Sequence, residues 1–159
     1  MRLRGEHNRE NVAAAVAVAK IIGVQYSVIG EVVKNFKGLE HRLEEVATVG
    51  GVAYFDDSFS TTPETTIAAI RSFDEPLILI CGGSEKGSDF SELGRVISEA
   101  KNIKAVVLIG LMAERIGEKI SNEEIKILRG AKNMAEIMEQ VKSAAESGDV
   151  VVLSPAAAS

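Results

Sequence analysis

Two loops in this sequence carry side chains that can bind an anion or a nucleotide. The first runs Asp56-Asp57-Ser58-Phe59-Ser60-Thr61-Thr62-Pro63-Glu64, so two carboxylates precede several hydroxyls and a proline. Hydroxyls and free backbone N–H groups at the start of a helix form an anion site, and proline suits the first helical turn. The same residue types favour helix caps, so Ser58, Thr61 and Thr62 can also be interpreted as caps alone.

The second loop is rich in glycine and contains one lysine, Lys86, in the run Gly82-Gly83-Ser84-Glu85-Lys86-Gly87-Ser88-Asp89. Glycine permits close approach of the backbone to a ligand, and the Lys86 ammonium can pair with a carboxylate or phosphate unless it is simply solvated. GxxxxGK[ST] needs a Gly-Lys step, which the chain lacks, and Ser84 stands in place of the second glycine of GxGxxG. A triphosphate would therefore have to be held elsewhere.

Composition excludes several classes of function. The chain has 159 residues, 46% of them hydrophobic, which is enough for one main domain with an appendage. The net charge of −5 argues against nucleic acid or an anionic membrane as a partner. No apolar stretch reaches the roughly 18 to 20 residues that span a bilayer, and no export signal is recognisable, so a cytoplasmic location is expected.

The few cysteine and histidine residues indicate neither a disulfide nor a metal site. Cys81 is the only cysteine and cannot form an internal disulfide. It ends an apolar run and is predicted to be a buried small hydrophobic residue. His7 and His41 are far apart in sequence, and no cluster has metal-ligand spacing, so neither is assigned as a ligand.

The secondary structure needed to position these loops is an alternation of strands and helices. Two helices are predicted first, over 9–21 beside a possible Asn8 cap and over 27–36. Short apolar, β-branched runs then alternate with helical ones, which is typical of an α/β fold with a Rossmann-like, doubly wound, mostly parallel sheet. The predicted strands are 44–49, 52–57, 76–82, 104–110, 125–130 and 150–154, and the predicted helices between them begin at about 63, 91, 112 and 134.

The first two strands flank Gly50-Gly51 and are predicted to form an antiparallel hairpin at the sheet edge. The turn at Lys37–His41 is the predicted domain boundary, which separates residues 1–38 from 39–159. In an open parallel sheet, ligands bind outside the carboxyl ends of the strands, so the two loops described above are expected at the binding site.

Five blocks in order resemble the Mur ligase family, the ATP-dependent amide ligases of peptidoglycan synthesis. They are Gly5-Glu6-His7-Asn8 with Asn11; 36–42; Asp56-Asp57-Ser58 with Thr61; Gly82-Gly83 with Lys86-Gly87 and Asp89-Phe90; and 153–159. The resemblance implies that residues 1–38 are the last helices of a central ATPase domain. It also implies that 39–159 are most of the family's C-terminal domain, in a fragment truncated at both ends.

Within the family, the blocks resemble the members that add D-glutamate to UDP-N-acetylmuramoyl-L-alanine. The resemblance implies ATP contacts by Asn8, Asn11, Arg42 and Asp57, D-glutamate contacts by Thr61, Lys86 and Ser159, and Mg²⁺ held mainly by an upstream part. Two residues depart from that branch, since Phe59 stands where lysine is usual and Thr62 where asparagine is usual.

Two other interpretations stay open. One is a sister Mur ligase or a folylpolyglutamate synthase-like ligase that adds a different amino acid, favoured by the Pro63-Glu64 step. The other is a non-catalytic module that binds a nucleotide or an acidic metabolite, favoured by the missing phosphate loop.

Overall fold

The computed structural model describes residues 3–84 and 87–158. These residues form a six-stranded sheet of order β1-β2-β6-β3-β4-β5, in which β1 is antiparallel to β2 and the other neighbours are parallel. The predicted α/β fold class is therefore confirmed. The elements in chain order are α1 Glu6–Ile21, α2 Tyr26–Asn35, β1 Glu44–Val49, β2 Val52–Asp56, α3 Pro63–Ile70, β3 Leu77–Gly83, α4 Ser91–Glu99, β4 Ile103–Gly110, α5 Ala113–Gly117, β5 Lys126–Leu128, α6 Met134–Lys142 and β6 Val150–Leu153.

The central strands are buried on both faces, as their continuous apolar sequences predict. Along β3, Leu77, Leu79 and Cys81 pack into one hydrophobic cluster, while Ile78 and Ile80 pack into another on the opposite face. Cys81 is fully buried, and its burial raises the pKa of the thiol to about 12, which confirms it as an interior residue. Helices α3, α4 and α5 cover the first face, and α6 covers the second.

The sheet edges and helix ends follow local sequence signals, with one exception. The hairpin of β1 and β2 turns at Gly50-Gly51, as predicted, and β1 is largely exposed at the edge. The predicted Asn8 cap is wrong, because α1 starts at Glu6 with Gly5 as its N-cap. Asn8 lies inside the helix, where its amide donates to Arg4 O at 2.7 Å, so the side chain satisfies a carbonyl that precedes the helix.

The N-terminal segment is attached to the sheet through Arg4. Its guanidinium pairs with Glu75 at 2.8 Å and lies 4.9 Å from the centre of the Phe73 ring and 5.1 Å from that of Phe55. The helices that follow contribute little to the core, since α1, described over its whole length, buries none of its residues and α2 buries Ile29. In the described part of the chain, no helix is long and apolar enough to cross a membrane.

Candidate nucleotide and amino-acid site

The predicted binding loops meet at one edge of the sheet. Strands β2, β6 and β3 are parallel neighbours, so their carboxyl ends lie side by side. The segment after β6 bonds to the loops on both sides. The Ala156 N–H donates to Ser60 O at 2.8 Å, and the Gly82 N–H donates to Pro155 O at 2.7 Å. These bonds bring together loops that lie far apart in the sequence.

A cavity of about 660 Å³ lies beside this edge, between α1, α2 and α3. It is lined by all four residues predicted to contact ATP, namely Asn8, Asn11, Arg42 and Asp57. The two asparagines are three residues apart on α1 and therefore share a face of the helix. A largely apolar cleft with a few polar groups suits a flat heterocyclic base and its sugar. The apolar part of the lining includes Val12, Ala15, Val32, Val33, Phe36 and Leu39.

Asp57 is a buried carboxylate in the wall of this cavity, only 4% exposed. Its Oδ1 accepts a bond from the Leu43 N–H at 3.1 Å, and its Oδ2 accepts one from the Ser154 hydroxyl at 2.8 Å. Burial raises the pKa of the Asp57 carboxyl, although the Ser60 and Ser154 hydroxyls and the Arg42 charge favour the ionised form. Asp57 therefore joins separate chain segments and is not the N-cap of α3.

The N-cap of α3 is Thr62, which precedes Pro63. The Thr62 N–H donates to Thr65 Oγ1 at 3.4 Å, a reciprocal contact within the first turn. The Ser58 N–H instead donates to Asp56 Oδ1 at 2.9 Å. The interpretation of the hydroxyl residues as caps thus holds for Thr62.

A strained turn presents Arg42 to the cavity. His41 and Leu43, on either side of Arg42, have φ angles of 62° and 45°, in the left-handed region that non-glycine residues seldom adopt. The His41 N–H donates to the Glu44 carboxylate at 2.9 Å, and the Phe59 N–H donates to His41 O at 3.2 Å. The Arg42 guanidinium lies 5.8 Å from the centre of the ring of Phe59, the residue found in place of the usual lysine.

His41 also pairs with Asp56, a contact that sequence reasoning missed. Its Nδ1 lies 2.7 Å from Asp56 Oδ2, and this hydrogen bond raises the pKa of the ring above its ordinary value. Burial alone would raise the pKa of Asp56, but the bonds from His41 and Ser58 outweigh it and lower that pKa. Both groups are therefore ionised together between the lowered pKa of Asp56 and the raised pKa of His41. In the sequence, the only indication of this contact was the position of His41 next to Arg42.

We expect Asp56→Asn to lower the midpoint of the His41 titration, because the replacement removes the carboxylate that stabilises the imidazolium. Since the folded-state pKa of His41 is raised, the stabilisation by this pair is complete below the unfolded-state pKa of histidine and is lost as pH rises through the folded-state value. At the acid end it is lost as pH falls through the lowered pKa of Asp56. NMR titration of the His41 ring measures this midpoint. The His7→Gln variant assigns the signals of the two histidines. An unchanged His41 midpoint in Asp56→Asn would contradict the pairing.

The described residues do not fit a magnesium ion. Within 3–84 and 87–158, one group of three metal-ligating side chains comes together, His41, Glu44 and Asp56, with candidate ligand atoms within 4.8 Å of one another. Mg²⁺ prefers oxygen ligands in an octahedral arrangement, whereas this group includes an imidazole that is already bonded to one of the carboxylates. The Glu44 and Asp56 carboxylates instead bond to His41 and hold the turn around Arg42.

Of the three residues predicted to contact D-glutamate, Lys86 and Ser159 lie outside the described residues. The adjoining segments do meet, because the Ser84 N–H donates to Ala158 O at 2.7 Å. Thr61 is half-buried at the same edge of the sheet, and its N–H donates to Phe59 O at 2.9 Å. The described residues therefore bring the two predicted loops and the segment after β6 together.

A mostly parallel sheet with a cavity of about 660 Å³ beside the carboxyl ends of its strands defines an α/β domain with a candidate ligand site. Residues 41–157 match the family described as "Mur ligase, glutamate ligase domain", and the chain belongs to this family.

The similar curated proteins are more specific. The chain is 42% identical over 157 residues to the UDP-N-acetylmuramoylalanine--D-glutamate ligase of Pelotomaculum thermopropionicum, covering 99% of this chain and 34% of that protein. It is also 42% identical over 158 residues to the ligase of the same name from Clostridioides difficile, with the same two coverages. The chain thus spans about a third of the length of these relatives.

Solved structures with low sequence identity share the fold. The MurF ligase from Thermotoga maritima in complex with ADP has a TM-score of 0.73 at 19% identity, covering 96% of this chain and 35% of that one. The folylpolyglutamate synthase from the same organism has a TM-score of 0.60 at 20% identity, covering 94% of this chain and 36% of that one. These similarities support the architecture over 94 to 96% of the chain.

Proposed function

We propose that this chain is the amino-acid-binding part of an ATP-dependent amide ligase that joins D-glutamate to UDP-N-acetylmuramoyl-L-alanine. The observation that carries the proposal is the cavity that groups Asn8, Asn11, Arg42 and Asp57 beside the meeting point of three loops. The names of the relatives support the choice of amino acid. The reaction would serve peptidoglycan synthesis in the cytoplasm.

The reaction we propose proceeds through an acyl phosphate. The carboxylate of the UDP-linked substrate attacks the γ-phosphorus of ATP, forming the acyl phosphate and releasing ADP. The amine of D-glutamate then attacks the carbonyl carbon, loses a proton, and expels phosphate from the tetrahedral intermediate to leave the amide. In this proposal the chain supplies no covalent nucleophile. Its residues hold the nucleotide and orient the amine, and such positioning lowers the barrier of a two-substrate reaction.

We assign residues 1–38 to the end of a central ATP-binding domain and residues 39–159 to the C-terminal domain. The first part exposes large apolar side chains, with Ile21 84%, Ile22 72% and Tyr26 69% exposed. An apolar surface of this kind is typical of an interface. We propose that an upstream part of the full-length protein covers it and also supplies the phosphate loop and the magnesium ligands.

The proposed function is tested with the full-length parent protein. Phosphate release and amide formation are measured with UDP-N-acetylmuramoyl-L-alanine, ATP and a panel of amino acids. We expect D-glutamate to be the preferred amine, and the 159-residue chain alone to release no phosphate. Preference for another amino acid would assign the protein to a sister ligase. Binding of nucleotide by a parent that forms no amide would favour the non-catalytic module.

We expect Arg42→Ala in the parent to raise the KM for ATP about tenfold, because a charge-assisted hydrogen bond contributes roughly 1.5 to 3 kcal/mol. The KM for D-glutamate should change less than about twofold, because the proposed contact of Arg42 is with ATP. Arg71→Ala is the matched control, since Arg71 is exposed at the end of α3 and is not among the residues lining the cavity. A larger effect on D-glutamate than on ATP would overturn the assignment of Arg42 to the nucleotide.

A further inference from the structure

A buried polar cluster joins the nucleotide side of the site to the segment after β6. Ser154 and Thr66 are fully buried, and Asp57 is 4% exposed. Ser154 Oγ lies 2.8 Å from Asp57 Oδ2 and 2.9 Å from Thr66 Oγ1. Buried polar groups persist only where their hydrogen bonds are satisfied, so the three side chains have to be considered as one unit.

The direction of the hydrogen bonds follows from the charge on Asp57. An ionised carboxylate only accepts, so the single Ser154 hydroxyl proton goes to Asp57. The Thr66 hydroxyl donates to Ser154 O at 3.3 Å, which holds Thr66 Oγ1 beside Ser154 Oγ. When Asp57 is protonated, the Ser154 hydroxyl can donate to Thr66 Oγ1 instead, at 2.9 Å. The acceptor of the Ser154 hydroxyl therefore depends on the charge state of Asp57, the carboxylate in the cavity wall.

Ser154 is also the first residue of the segment that ties the loops together. Its N–H donates to Ile80 O at 3.0 Å, which fixes the segment to β3. Two residues further on, Ala156 has a φ of 61° and is fully buried, a strained conformation that needs its surroundings to hold it. Displacement of Ser154 would therefore move the segment after β6, which bonds to Gly82 at the end of β3 and to Ser60.

We propose that Ser154 is a positioning residue that couples the nucleotide side of the site to the amino-acid side. Its hydroxyl orients Asp57 in the cavity, while its backbone fixes the segment on which the loops around the amino acid rest. This inference rests on the proposed function. It predicts that loss of one hydroxyl, which is fully buried and lies outside the lining of the cavity, affects the binding of both substrates.

The test is Ser154→Ala in the full-length parent, with KM measured for ATP and for D-glutamate as a function of pH. We expect both KM values to rise about three- to tenfold, as loss of one buried hydrogen bond of about 1 kcal/mol or more predicts. The acid limb of kcat/KM for ATP should also move to higher pH. Loss of the hydroxyl removes a donor that favours ionised Asp57, while the Leu43 N–H, the Ser60 hydroxyl and the Arg42 charge remain.

Two further variants keep the test decisive. Ser98→Ala is the matched control, because the Ser98 hydroxyl donates to Gly94 O and accepts from the Ser121 N–H, within and beside α4. It should leave both KM values and the pH profile unchanged. Should Ser154→Ala fail to fold, Thr66→Val removes the donor to Ser154 and should shift both KM values in the same direction by a smaller factor.

The proposal is overturned if Ser154→Ala lowers only the melting temperature, or changes the KM of one substrate alone. It is equally overturned if Ser98→Ala reproduces the effect. Failure of the proposed function gives a different result, since the unmutated parent would then form no amide with D-glutamate.

Discussion

Replacing Lys86 by alanine in the full-length parent is expected to raise the KM for D-glutamate about ten- to a hundredfold while leaving ATP binding intact. A charge-assisted contact to an ionised carboxylate contributes roughly 1.5 to 3 kcal/mol, which corresponds to this range. Phe59 occupies the position at which the resembling ligases carry a second lysine, so it cannot replace the lost charge. Steady-state kinetics with D-glutamate as the varied substrate measures the effect.

The matched control is Lys101→Ala. Lys101 is exposed just before β4, at the amino end of the sheet and away from the converging loops. Its removal should change neither KM. If Lys86→Ala changes the KM for D-glutamate less than about threefold, equivalent to ~0.7 kcal/mol, Lys86 is a solvated surface lysine. The proposed amino-acid site would then lose its cation.

Gly82→Ala is expected to destabilise the folded chain by at least about 3 kcal/mol, the sum of backbone strain and steric overlap. Gly82 has a φ of +122°, and a Cβ added to it would lie 2.0 Å from the carbonyl oxygen of Ile109 in β4. Backbone in the centre of a sheet cannot give way as a flexible side chain can. The loss is a large fraction of the roughly 5 to 15 kcal/mol that stabilises a domain.

Urea unfolding followed by circular dichroism measures this change in the free energy of unfolding. Gly148→Ala is the control, because Gly148 also has a positive φ, of +98°, but no atom lies within 4 Å of its added Cβ. It should lose only the strain contribution, about 1 to 3 kcal/mol. Equal losses of unfolding free energy for the two variants would show that steric overlap with β4 at position 82 does not contribute to the destabilisation.

The sequence by itself determined the elements and the class of fold. Continuous β-branched apolar runs occur where strands are buried on both faces, and Gly50-Gly51 turns the edge hairpin, because these signals act over a few residues. The start of α1 did not follow its local signal. Asn8 is a good cap by type, yet α1 begins at Glu6, since the amide of Asn8 bonds back to Arg4 O instead.

The sequence also indicated which loops carry chemistry, but it could not establish their contacts. Asn8, Asn11, Arg42 and Asp57 were grouped only by resemblance, and in the structure all four line one cavity. The glycine at 82 was interpreted as allowing a ligand to approach. In the structure, the backbone of β4 makes the close approach.

Tertiary structure alone decided the connections within the site. Insertion of β6 between β2 and β3 places Ser154 against Asp57, which lies 97 residues earlier in the chain. The hydrogen bond between His41 and Asp56 likewise depends on how the turn folds over the end of β2. Strand order is set by packing of the whole sheet, and no local pattern encodes which carboxylate will meet which hydroxyl. Such pairings therefore become visible only when the chain is folded.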